Sequence, residues 1–168
     1  MIIRKGETRD IPEIMAIIDG AKKFFRENGI DQWQKGVPNE ETVKSDIKNG
    51  ENYVVEENGK VVATAMISLR GEPAYDKICS GKWLCNEKYG VIHRVAVLPS
   101  QKRGGLASML VKKAETITSD AGFASLRIDT HEQNIPMRKM IDKNGFVFCG
   151  TVFLADGSQR RAYEKILI

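Results

Sequence analysis

The chain has 168 residues, 42% of them hydrophobic. At about 100–200 residues per domain, this predicts one globular domain, 1–168, with material for a sizeable core. Its 26 Lys and Arg against 22 Asp and Glu give a formal charge of +4, a mild surplus interspersed with acids. Such a balance suits an anionic ligand and excludes, as an expectation, nucleic acid and membrane partners. No run of about 18 apolar residues marks a membrane span, and Met1-Ile2-Ile3-Arg4-Lys5-Gly6 lacks the layout of a signal peptide. Cys79, Cys85 and Cys149 are odd in number, and no histidine pair accompanies them. Neither a structural metal site nor a disulfide framework is expected; three reduced thiols in a cytoplasmic protein are.

In chain order, Ile2–Lys5 reads as a short extended start. From Asp10, a plausible N-cap, Ile11, Ile14, Met15, Ile18, Ala21 and Phe25 recur at helical spacing as far as Asn28-Gly29. A second helix fits Asn39 to Lys48, with Glu40 and Glu41 in the first turn, where the helix dipole favours acid. Asn52–Glu57 and Lys60–Leu69 read as strands joined by Asn58-Gly59, a type I′ hairpin signal. Residues 71–89 show little periodicity, and a connection this long is usually functional or mobile.

Val91–Leu98 is a predicted strand stopped by Pro99. A helix runs from about Gly104 to Ala121, with Leu106, Met109, Leu110, Ala114 and Ile117 on one face. Ser125–Thr130 is a strand, and Asn134–Asn144 a short helix with Pro136 in its first turn. Phe146–Leu154 and Arg160–Leu167 close the chain as strands around Asp156-Gly157. The predicted class is α/β (α+β), a mixed, mostly antiparallel central sheet with helices on both faces.

The stretch from Val91 to Ala107 runs strand, basic glycine-containing loop, helix start. A helix N-terminus leaves backbone N–H groups unpaired and carries partial positive charge, so it receives phosphate readily. Gly104 and Gly105 remove side chains where a diphosphate needs close approach, and Lys102 and Arg103 add charge. No Walker loop and no Gly-x-Gly-x-x-Gly occurs. A plain βα turn with solvated basic residues is the alternative. One Arg-Gly-Gly copy is too little for RNA binding.

Lys102-Arg103-Gly104-Gly105-Leu106-Ala107 resembles motif A of the GNAT superfamily of N-acetyltransferases, Gln/Arg-x-x-Gly-x-Gly/Ala. Lys102 replaces Gln/Arg, and Val95-Ala96-Val97-Leu98-Pro99 matches the family's preceding strand. Asn134, Met137, Met140 and Asn144-Gly145-Phe146 resemble motif B, and the element order fits the family along the chain. The resemblance implies acetyl-CoA as cosubstrate. It implies that the amides of Arg103, Gly104, Gly105, Leu106 and Ala107 hold its pyrophosphate, with Lys102 keeping a positive charge nearby. It further implies that the backbone of Val95, Ala96 and Val97 pairs with the pantetheine arm and polarises the thioester carbonyl. Asn134 is either a contact to the cofactor arm or an ordinary N-cap.

Acetyl transfer to an amine needs a proton acceptor for the amine and a donor for the departing thiolate. The family's motif B tyrosine falls at Ile141 here, which leaves the acid unassigned. At strand period two, Val91, His93, Val95 and Val97 share a face, and His93 is the first candidate base; a structural histidine is the alternative. His131 comes just after a strand on which Arg127 and Asp129 share its face, lining a cleft or forming a local ion-pair network. Tyr163 (ordinary pKa about 10) is a candidate acid or an aromatic packed in the sheet.

The acceptor, a small-molecule or peptide amine, is expected against a wall drawn from Asp31 to Gln34 and from Tyr75 to Trp83. Trp33 and Trp83 flank it by cation–π contact, with Tyr75, Asp31 and Asp76 close by; loop aromatics that pin the chain are the alternative. A non-catalytic CoA-binding module and a basic nucleic-acid module are the competing readings. Exposed edges in the final strands leave a homodimer possible.

Overall fold

The computed structural model describes residues 1–102 and 104–168, among which lie seven strands and four α-helices. Two compact units divide the chain: Met1–Ile67 with Arg94–Leu110, and Ser68–His93 with Val111–Ile168.

The first unit contains β1 (Ile2–Lys5), α1 (Ile11–Glu27), α2 (Glu40–Lys48), β2 (Asn52–Glu57) and β3 (Lys60–Ser68, its last residue apart). It also holds the second half of β4 (Tyr89–Val97) and the start of α3 (Leu106–Asp120). β1, β2 and β3 form an antiparallel meander. Its tight turn places Asn58 and Gly59 at φ 52° and 76°, the left-handed values that a type I′ hairpin needs. Ile11, Ile14, Ile17 and Ile18 of α1 bury one stripe against Val43, Val54, Val61 and Ala96. Removing one such isoleucine side chain costs about 2–5 kcal/mol.

Asp10 stands at the N-cap of α1, but its carboxylate is used elsewhere. Arg4 donates to both of its oxygens at 2.7 and 2.9 Å, and the Glu7 N–H donates at 2.7 Å. α2 starts with a reciprocal cap: Asn39 Oδ1 accepts the Thr42 N–H, and the Asn39 N–H donates to Thr42 Oγ1.

The second unit contains the first half of β4, β5 (Ser125–Thr130), α4 (Ile135–Lys143), β6 (Val147–Phe153) and β7 (Gln159–Ile166). Its strand order is β4-β5-β7-β6. β4 and β5 run parallel over three rungs, Tyr89↔Ser125 to Val91↔Arg127, whereas β5–β7 and β6–β7 are antiparallel. The mixed, mostly antiparallel class expected from the sequence is what forms.

One expectation is corrected. β4 does not alternate along its length, because Arg94 takes φ 55°. A left-handed residue interrupts the regular extended geometry on which a period-two face depends, at the point where β4 passes from one unit to the other. Arg127 and Asp129 each have an ionic partner, Glu164 and His93, in keeping with the local ion-pair alternative. Arg127 lies directly opposite Glu164 on β7 and bonds to it at 3.0 Å, and Asp129 turns to Tyr75.

Candidate active site

Two local arrangements hold the candidate residues, one in each unit. In the first unit, β4 ends at Val97, Pro99–Gln101 makes a short 3₁₀ turn, and α3 begins at Leu106. The turn is tied by the Gln101 N–H donating to Leu98 O at 2.8 Å and the Gly104 N–H to Gln101 O at 3.3 Å. A Cβ on Gly104 would stand 3.2 Å from Gln101 O, and Gly105 adopts φ 77°. The loop thus approaches its own backbone too closely, and at too unusual a φ, for ordinary side chains. It leads directly into the N-terminus of a 15-residue helix, whose first-turn amides have no intrahelical acceptor. This donor set fits a pyrophosphate. Lys102 rests its ammonium 4.2 Å from the centre of the Phe24 ring. Arg103 lies outside the described residues. Leu106 is buried, while Ala107 is half-buried at the helix start.

In the second unit, His93 lies between two carboxylates. Its Nε2 is 3.2 Å from Glu72 Oε2 and its Nδ1 is 3.7 Å from Asp129 Oδ2. Side-chain exposure rises from 9% at Asp129 through 15% at His93 to 27% at Glu72, so Glu72 is the outermost of the three. The Tyr75 hydroxyl donates to the same Asp129 oxygen at 2.6 Å. Burial pushes the Tyr75 phenol well above its ordinary pKa, and the negative charge of Asp129 adds to the rise. The phenol therefore stays a donor, and the Tyr75 ring meets the His93 ring edge-on at 5.8 Å.

Glu72 and Tyr75 reach this place through the aperiodic connection between β3 and β4. Pro73–Asp76 is a 3₁₀ turn whose N-cap, Glu72, accepts the Ala74 N–H. Trp83 packs on Tyr75 at 5.2 Å and donates its indole N–H to Tyr75 O at 2.9 Å. Arg127 stacks its guanidinium on Trp83 and Tyr89, 4.0 and 3.9 Å from the ring centres. The fully buried Glu164 carboxylate gathers Arg127, the Ser125 hydroxyl and the Leu84 N–H. That buried hub ties the connection to β5 and β7.

The remaining candidates from the sequence are engaged in local structure. Tyr163 is 1% exposed; its hydroxyl accepts from Arg161 Nε at 2.9 Å and its ring meets Phe148 edge-on. His131 comes just after β5, and its Nδ1 accepts the Gln133 N–H. Asn134 is buried and caps α4 by accepting the Met137 N–H at 3.3 Å. Ile141 is fully buried in the same helix. Trp33 packs edge-on against Phe25 in the first unit, while Asp31 and Asp76 are exposed.

Glu72 at the His93 ring is a candidate that sequence reasoning misses, whereas Asp129, read there as lining a cleft or ion-paired, meets His93 and Tyr75. Glu72 sits in a segment without periodicity, which offers no spacing to place it. The one sequence signal is Asp129 itself, an acid on a buried strand. Among the described residues, no group of His, Cys, Asp and Glu side chains is arranged to hold a metal ion, and no helix is long and apolar enough to cross a membrane.

Residues 16–146 match the model of the Acetyltransferase (GNAT) family. A GNAT-family acetyltransferase of known structure from Streptococcus agalactiae 2603 is 36% identical and superposes with a TM-score of 0.88. That likeness covers 98% of this chain and 94% of the other. A putative acetyltransferase from Staphylococcus aureus Mu50 is similar at 25% identity and a TM-score of 0.76, over 100% of both chains. The uncharacterized N-acetyltransferase YjcF of Bacillus subtilis strain 168 is 25% identical over 115 residues, 64% of this chain and 80% of that protein. The chain belongs to the GNAT family and is an acetyltransferase.

Proposed function

We propose that this acetyltransferase, working as a single catalytic domain in the cytoplasm, moves an acetyl group from acetyl-CoA to a primary amine of a small molecule or peptide. The observation that carries the reading is the His93 ring held with Glu72 at one nitrogen and Asp129 near the other. This histidine stands on β4, two residues before Val95. Acetyl-CoA, when bound, supplies an activated acyl group as a thioester open to attack by a neutral amine.

The chain's own residues do the rest. The amides of the 103–107 loop hold the pyrophosphate, and Lys102 supplies charge beside them. Asn134, whose side chain caps α4, is the second-unit residue proposed to touch the cofactor arm. Backbone N–H groups of Val95, Ala96 and Val97 meet the negative charge that develops on the acyl oxygen.

An aliphatic amine arrives as an ammonium ion, and Glu72, the outermost carboxylate, meets it first. The proton passes to His93 Nε2, while Asp129, fixed by Tyr75, faces Nδ1 and balances the charge gained by the ring. Trp83 and Tyr75 back the acceptor wall in the second unit rather than offering bare cation–π faces, because Arg127 already occupies one face of Trp83. Tyr163 and His131 are second-choice proton carriers, since each already has a structural bond.

Ile141 favours one competing reading. A fully buried isoleucine at the family's tyrosine position suits a module that binds CoA without transferring the group. Free-CoA release, measured with a thiol reagent across amines, polyamines, amino acids and peptides, separates the two. Turnover with one acceptor class, lost in His93→Ala, supports the enzyme. Tight acetyl-CoA binding by calorimetry with no turnover favours the sensor, and no binding at all removes both.

A further inference from the structure

Arg94 combines two features that rarely coincide: a left-handed backbone inside a strand and a fork-shaped ion pair. Its φ of 55° lies in the left-handed region that residues with a side chain seldom adopt. Such a conformation persists where the surroundings over-determine it. Here Arg94 Nε donates to Asp46 Oδ2 at 2.8 Å and Nη2 to Asp46 Oδ1 at 2.7 Å. Asp46 belongs to α2 and its side chain is 8% exposed.

α2 is a firm anchor. Asn39 caps it, Val43 and Ile47 seat it in the same apolar cluster as Ala96 and Leu98, and Asp46 O accepts the Glu51 N–H at 2.9 Å. The far end of the segment is tied as well, since the Leu98 N–H donates to Val62 O at 2.8 Å. The backbone of Val95–Val97 is therefore fastened on both sides, by the ion pair before it and the backbone hydrogen bond after it.

We infer that the Asp46–Arg94 fork is a latch that holds the left-handed backbone of Arg94 in β4, making both side chains positioning residues for the Val95–Val97 amides. The catalytic part of this inference rests on the role given to those amides in the proposed function. The net stability of a half-buried ion pair is small, so the value of the fork lies in geometry: misplacing a reacting contact by about 1 Å can cost about 100-fold in rate.

The test compares wild type with Asp46→Asn, Arg94→Lys and, as a control on the outer side of the same helix, Glu41→Gln. Arg94→Lys keeps the charge but gives up the fork, and it carries the test if Asp46→Asn does not fold. Amide hydrogen exchange at Val95, Ala96 and Val97 is followed together with steady-state turnover at saturating acetyl-CoA. Exchange at these amides is expected to quicken by about tenfold or more as local opening becomes easier. The expected drop in kcat is about tenfold or more, with acceptor KM nearly unchanged and Glu41→Gln like wild type.

Unchanged exchange in a folded variant overturns the latch, and quickened exchange with wild-type kcat overturns the positioning role. If wild type turns over no acceptor, the proposed reaction fails and exchange alone decides whether the latch exists.

Discussion

His93 has a carboxylate facing each ring nitrogen, and the two differ in what holds them. Asp129 is locked by the buried Tyr75 phenol, whereas Glu72 lies outermost on a 3₁₀ turn. If His93 takes the proton of an arriving ammonium, its removal hurts only acceptors that arrive charged. His93→Ala should lower kcat by about 10²–10⁴ for an aliphatic amine, the usual range for a lost general base. An aromatic amine, neutral at the assay pH, should lose less than about tenfold. Equal losses for the two acceptors would make His93 a structural residue. Tyr75→Phe removes a hydrogen bond to a charged group, worth about 1.5–3 kcal/mol. It should lower kcat for the aliphatic amine while leaving acetyl-CoA affinity alone, read by calorimetry against steady-state rates.

Among the elements, the buried hub between β5 and β7 shows how the 71–89 connection is held. Glu164 is fully buried, and Arg127 is its ionic partner. Breaking such a pair from one side costs about 3–5 kcal/mol, because the remaining charge stays buried alone. Arg127→Met should therefore destabilise the protein by about that much in urea unfolding, and adding Glu164→Gln should recover part of the loss. A single variant within about 0.5 kcal/mol of wild type, the size of an ordinary surface substitution, would mean that solvent reaches Glu164.

The start of α1 adds a pH dependence. Arg4, bonded to both oxygens of Asp10, holds its carboxyl below the ordinary carboxylate range. The stability this contributes is fully present above the unfolded value of about 3.9 and is lost as pH falls through the lower folded value. Asp10→Asn should be less stable than wild type at neutral pH, and the two should converge in strong acid. A constant gap down to pH about 2 would show that the charge on Asp10 is not what matters.

At the scale of the whole molecule, the features legible in the sequence are those that lie within one element or one turn. Asn58-Gly59 sets a hairpin through backbone φ alone, and Asn39 and Asn134 cap the helices that begin after them. The glycine loop before α3 is readable for the same reason. The site cluster is not: Glu72 meets His93 across 21 residues and Tyr75 meets Asp129 across 54, so no spacing rule brings them together. The left-handed backbone of Arg94 escapes because Asp46, which its side chain meets, is 48 residues away in sequence.

Ligand linkage tests the cofactor assignment without needing the acceptor. A ligand that binds only the folded chain stabilises it by about 2.7 kcal/mol at 100 times its Kd. For a chain of this length each kcal/mol moves Tm by about 2–4 °C, so saturating acetyl-CoA should raise Tm by about 5–11 °C. The gain should grow with the logarithm of concentration above Kd, and added salt should reduce it, because phosphate charge contributes to the contact. Gly105→Ala forces a side chain onto φ 77° in the loop that fits the pyrophosphate, so it should shrink the gain far more than it lowers the ligand-free Tm. A full ligand gain in Gly105→Ala would move the phosphate contact away from this loop. No gain in wild type would remove acetyl-CoA as the cosubstrate.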